Sequence, residues 1–129
     1  MGKRADAGVE YKHNGCNCCQ AVLMAYSDIL DTDKDTLMTL GSGFGLGMGC
    51  MEGTCGALCG AIAAAGLLKN DNPRMTSKQI LANFKEKCGG TICKDLKGIE
   101  TGKMLCSCDD CVRNGIIALA EVLPEKISL

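Results

Sequence analysis

The sequence predicts an all-α fold, a compact bundle of four to six helices with a glycine-rich loop before the central helix. Three observations point that way. Hydrophobic residues make up 47% of the 129-residue chain but aromatic residues only 3%, with no tryptophan. Ala, Leu, Ile, Val, Met and Cys must therefore fill the core, which suits closely packed helices better than a sheet. Apolar residues recur at helical spacing in several segments, and those segments are separated by cap and turn residues.

In chain order, Met1–Lys12 is polar and charged and is expected to be a flexible arm with at most a first helical turn. His13, the only histidine, stands beside the turn signal Asn14-Gly15 and reads as an exposed turn residue. From Asn17, a good cap, CCQAVLMAYSDIL forms a helix ending near Asp31. Its stripes are Cys18, Val22, Ala25 and Ile29 beside Cys19, Leu23, Tyr26 and Leu30. Cys18 and Cys19 fall in its first turn, where the helix dipole is expected to lower a thiol pKa. Asp33 or Asp35 caps a short helix through Leu40, whose Leu37, Met38 and Leu40 read as core.

The central stretch, Gly41–Leu68, runs from a loop with five glycines in Gly41–Gly49 into a small-residue helix. A helix beginning near Met51 would stack Cys55 and Cys59 one turn apart, so that both sulfurs could reach one ligand. Equally, those cysteines could be small hydrophobes in a tight core. The loop matches neither a phosphate loop nor a dinucleotide fingerprint, because no Gly-Lys-Ser/Thr follows it and no strand pattern precedes it. Lys69–Pro73 is a solvated turn, after which Thr76 or Ser77 caps a helix with Ile80, Leu81, Phe84 and Cys88 along one stripe, ending at Gly89-Gly90. Residues 91–96 make at most a turn of helix, and Lys97–Lys103 a loop. A last helix follows CSCDDC with Val112, Ile116, Leu119 and Leu123 inward, closed by Pro124. One domain spanning 1–129 is expected.

A net charge of −1 and a pI near 5.8, with no basic patch, argue against a nucleic-acid partner. The longest apolar run, Ala57–Leu68, is short for a membrane span, so no membrane insertion is expected. Eleven cysteines are the outlier. The start of the chain shows no apolar segment of signal-peptide length, the count is odd, and the thiols cluster as CNCC, CMEGTCGALC, CGGTIC and CSCDDC. A cytoplasmic protein with metal-ligating or redox thiols fits these facts better than a disulfide scaffold. No Ser-His-Asp set is available, and Glu52 inside CMEGTC is either a proton relay or a helix-start carboxylate.

Three segments together carry a resemblance. They are Asn17-Cys18-Cys19-Gln20-Ala21-Val22-Leu23, then Gly43-Phe44-Gly45 through Met48-Gly49 with Cys55-Gly56-Ala57-Leu58-Cys59-Gly60, and then Ile92-Cys93-Lys94-Asp95-Leu96. In order and spacing they resemble the C-GCAxxG-C-C family of small redox-active bacterial and archaeal proteins, over about Gly15 to Val122. The resemblance implies four functional cysteines, falling on Cys18, Cys55, Cys93 and a fourth near the last helix. Cys108 is the choice, since Val112 completes a Cys-x-x-x-Val run; Cys111 is the alternative. A similar module in split-Soret cytochrome c looks like an iron–sulfur domain, which implies that the four thiols hold a cluster.

Seven further cysteines depart from the pattern: Cys16, Cys19, Cys50, Cys59, Cys88, Cys106 and Cys111. They allow a second cluster, or one larger than [4Fe-4S] with more thiolate ligands. The function expected is electron transfer or a cluster-based reduction with a redox partner protein. The alternatives are a metal-free thiol–disulfide protein with Cys55 or Cys93 reactive, and a zinc or soft-metal binding module. An Ala/Gly-rich surface could also pair into a homodimer.

Overall fold

The structure is a computed structural model and describes residues 2–127. Among the described residues it is all-α, with α1 Lys3–His13, α2 Cys18–Ala25, α3 Lys34–Gly41, α4 Gly56–Leu67, α5 Pro73–Cys88, α6 Cys93–Lys97 and α7 Cys108–Val122. A π-helical turn, Gly47–Met51, precedes α4 and lies in the expected glycine-rich loop. Six helices have eight residues or more, and α6 is a short seventh.

Local chemistry explains the boundaries. Asn17 caps α2 in a reciprocal box: its Oδ1 accepts the Gln20 N–H at 2.8 Å, while Gln20 Oε1 accepts the Asn17 N–H at 2.9 Å. Asp33 caps α3 and Ser107 caps α7 by the one-sided form of this bond, accepting from the Thr36 and Asp110 N–H groups. Asn72 caps α5 with Pro73 at its first position, and left-handed Gly89 ends it.

Four expectations are corrected here. Residues 3–12 are helix rather than a flexible arm, because Ala5 and Val9 form a narrow apolar stripe buried against the rest of the molecule; Met1 of that arm lies outside the described residues. Arg4 anchors this helix by donating to the Ala25 carbonyl at 2.7 Å and pairing with Asp28, its guanidinium 4.9 Å above the Tyr26 ring. The α2 helix stops at Ala25, not near Asp31, where Tyr26 is buried and its hydroxyl donates to the Ile116 carbonyl. Thr76 does not cap α5; it is buried one turn in and donates to Asn70 Oδ1 at 2.8 Å, since proline's fixed φ allows the helix to begin at residue 73. Leu40 is exposed rather than core, while Leu37 is fully buried.

The central helix α4 has no polar face and packs on α2, α7 and α5. Two glycines set how close those neighbours come. A Cβ on Gly60 would stand 2.8 Å from the Cys19 carbonyl oxygen in α2, and one on Gly115 2.9 Å from the Ala57 carbonyl oxygen in α4. One apolar cluster joins α1, α2, α4, α5 and α7 around Leu23, Leu58, Phe84, Ile116 and Leu119. Among the described residues no helix is long and apolar enough to cross a membrane.

Candidate metal centre

The helix starts gather the thiols. Cys18 is the first residue of α2, Cys55 the N-cap of α4, Cys93 the first residue of α6 and Cys108 the first residue of α7. The expected helix start near Met51 is corrected. Met51 ends the π-helical turn with φ 65, and α4 begins only at Gly56.

A small antiparallel bridge joins two of these sites despite their distance in sequence. Thr54 pairs with Ile92, the Cys55 N–H donates to the Thr91 carbonyl at 2.7 Å, and the Cys93 N–H donates to the Gly53 carbonyl at 3.0 Å. Cys55 and Cys93 are thus fixed side by side on backbone hydrogen bonds. The glycine loop closes over them. A Cβ on Gly47 would lie 2.5 Å from Cys93 Cβ, and one on Gly45 2.4 Å from Asn17 Cβ, so only glycine permits this approach. Leu46, Met48 and Met51 hold positive φ in the same turn, a strained conformation for residues with a Cβ.

The thiols themselves interact. Cys18 and Cys108 are near enough to act on each other, which raises the Cys18 pKa and lowers that of Cys108. This corrects the expectation that the α2 dipole favours thiolate at Cys18 and Cys19. Cys18 keeps its proton beside Cys108, and burial, with Cys59 and Cys55 nearby, pushes Cys19 up to about 12. The neighbouring Cys111, together with burial, raises the Cys55 pKa. Cys93 is raised by burial and by the closeness of Cys55 and Cys108.

Beyond Cys111 the sulfurs continue. Cys88, at the end of α5, Cys106 and Cys111 are all buried, with Sγ atoms within 4.8 Å of one another, and this group could hold a metal ion. Burial first, then Cys111, pushes Cys106 up to about 11. The loop that carries Cys106 is pinned by the N–H groups of Leu105 and Cys106, which donate to the Leu96 carbonyl at 2.9 and 3.2 Å.

Two polar residues missed by the sequence reading face these sulfurs. Lys97 Nζ donates to Cys111 Sγ at 3.4 Å and to the Cys106 carbonyl at 3.1 Å. Burial works against its charge, but Cys111, Cys108 and Cys55 outweigh that and raise its pKa. Asn114 Nδ2 donates to Cys88 Sγ at 3.3 Å and to Cys106 Sγ at 3.8 Å. No local spacing carried the signal, since Lys97 meets Cys111 from 14 positions away and Asn114 meets Cys88 from 26.

The other predicted cysteines lie elsewhere. Cys16 is buried against Met38, its Sγ donating to the Met38 sulfur at 3.7 Å. Cys59 is half-buried and points toward the Thr54 carbonyl at 4.0 Å; burial and Cys55 raise its pKa. Cys50 is exposed in the π-helical turn. His13 is exposed at the end of α1, with Nε2 2.8 Å from Oδ2 of Asp109, the residue after Cys108. Glu52 lies in the loop rather than at a helix start and pairs with Lys94 at 3.5 Å.

An all-sulfur donor set, buried and supplied with N–H and ammonium donors, selects soft metals and iron–sulfur clusters. Among curated proteins and among solved structures, no match is found. A family model described as "Putative redox-active protein (C_GCAxxG_C_C)" matches residues 16–122, a span that takes in every one of these cysteines, and the chain belongs to that family.

Proposed function

We propose that this chain is a redox protein holding an iron–sulfur cluster on Cys18, Cys55, Cys93 and Cys108. The observation that supports the reading is that these four cysteines all stand at helix starts, with Cys55 and Cys93 joined through the Thr54–Ile92 bridge and Cys18 and Cys108 close enough to perturb one another. Bound there, a cluster supplies one-electron transfer at a potential set by its surroundings. The chain's own part is to fix the thiols and balance their charge. Lys97 offsets negative charge on the sulfurs, and the positive ends of α2, α4 and α7 add partial charge of the same sign. The π-helical turn covers Cys93 and limits water access on that side. Electrons would pass to and from a partner redox protein.

Anaerobic purification with iron, sulfide and zinc analysis and an absorbance spectrum tests this. Iron and sulfide together, with visible absorbance lost in Cys18→Ser or Cys55→Ser, are expected. Absence of both elements after anaerobic handling sinks the reading.

One observation favours a second reading, a metal-free dithiol. Cys18 and Cys108 stand close enough for the pair to favour thiolate at Cys108, which suits a reactive thiol beside a resolving one. That reading expects a colourless protein whose thiol count falls by two on mild oxidation, with the disulfide mapped to Cys18 and Cys108.

A further inference from the structure

Cys88, Cys106 and Cys111 take no part in the cluster reading, and Cys88 and Cys106 lie outside the motif segments that define the family resemblance. All three are buried and come from separate segments, namely the end of α5, the loop after α6 and the first turn of α7. Their sulfurs already lie within 4.8 Å of one another. Three thiolates around one ion, with metal–sulfur bonds of about 2.3 Å, stand roughly 4 Å apart when the ion lies in their plane. Closing the trio on an ion takes shifts of under about 1 Å per sulfur on that geometry.

The surroundings limit which ion fits. Among the described residues no histidine or carboxylate joins the trio, and Cys55, although near Cys111, stands outside it. The polar neighbours are donors: Lys97 reaches Cys111, and the Asn114 amide reaches Cys88 and Cys106. Zinc asks for four ligands in a structural site. A soft monovalent ion with a filled d shell is satisfied by three thiolates, and thiolates select it. Three thiolates and one positive ion leave two negative charges. The Lys97 ammonium cancels one of them, and the Asn114 N–H bonds spread the other.

We infer that Cys88, Cys106 and Cys111 form a three-thiolate site for one soft monovalent cation of the copper(I) type, separate from the four motif cysteines. This site stands independently of the iron–sulfur reading, whose failure is seen in the iron and sulfide content of the unaltered chain.

The test uses the full-length chain carrying Cys18→Ser and Cys93→Ser, which breaks the motif set and leaves the trio. Under anaerobic, reducing conditions it is titrated with copper(I) against a coloured copper(I) chelator. One copper per chain is expected, with X-ray absorption showing three sulfur neighbours. Adding Cys88→Ala and Cys106→Ala to the same chain should weaken copper retention at least tenfold. Equal retention in both chains, or a count of two or four sulfurs in the first, overturns the inference. If the four-residue variant fails to fold, the single Cys88→Ser change decides. It should lower the sulfur count from three to two, and an unchanged count sinks the site.

Discussion

Gly47 and Cys93 occupy the same space to within a methyl group: a Cβ on the glycine would stand 2.5 Å from Cys93 Cβ, and its φ is 56. Gly47→Ala should therefore cost about 1–2 kcal/mol in left-handed strain and push Cys93 off its position. The expected outcome is reduced iron content with unchanged far-UV circular dichroism. Full iron content in this variant would show that Gly47 does not hold Cys93 in place.

Lys97 is the ammonium that faces Cys111, Cys108 and Cys55. Replacing it by glutamine removes a unit of positive charge a few ångströms from the proposed cluster. The midpoint potential should fall by on the order of 100 mV at an effective dielectric near 20. Protein-film voltammetry reads this directly, and a potential that rises or stays put contradicts the role assigned to Lys97.

Two glycines in helices should respond to alanine with opposite signs. Gly66 near the end of α4 is exposed with open space around it, so Gly66→Ala should stabilise by about 0.5–1 kcal/mol through helix propensity. Gly115 in α7 meets the Ala57 carbonyl oxygen at 2.9 Å, a backbone atom that cannot swing aside. Gly115→Ala should destabilise by about 1–3 kcal/mol through overpacking. Urea midpoints of the two variants, read against the parent, should move apart.

Arg4 lowers the pKa of Asp28 by hydrogen bonding to its carboxylate. A carboxylate with a depressed folded-state pKa adds stability above its unfolded pKa, near 3.9, and loses it as the pH falls through the lower folded value. Because Asp28 is more than half exposed, the pair is worth only about 0.5 kcal/mol. Asp28→Asn should thus melt slightly below the parent at pH 7, and the gap should close once the pH drops under the carboxylate range. A gap that persists in acid would assign the effect to packing.

Where the information was local, the sequence was readable. The caps Asn17 and Asp33, the left-handed Gly89 and the inward stripe Val112, Ile116, Leu119 and Leu123 were all visible as single residues at fixed offsets. The first helix was missed because its buried residues are only Ala5, Gly8 and Val9, too small to stand out among charges. Pro73 was read solely as the end of one helix, although its ring also favours the start of the next. The partners of the thiols are tertiary. Cys106 meets Cys88 because the loop after α6 hangs from the Leu96 carbonyl, and no spacing in sequence encodes that.

Cys18 and Cys108, which perturb one another's titration, lie 90 positions apart in sequence, and α7 supplies Cys108 and Cys111 together. During synthesis the first thiols emerge from the ribosome long before their partners exist. If the proposed centre is loaded, loading follows translation, and until α7 docks the growing chain presents unpaired sulfurs. On the proposed function, such a chain would need its thiols kept reduced during its own biogenesis, before it does any chemistry of its own.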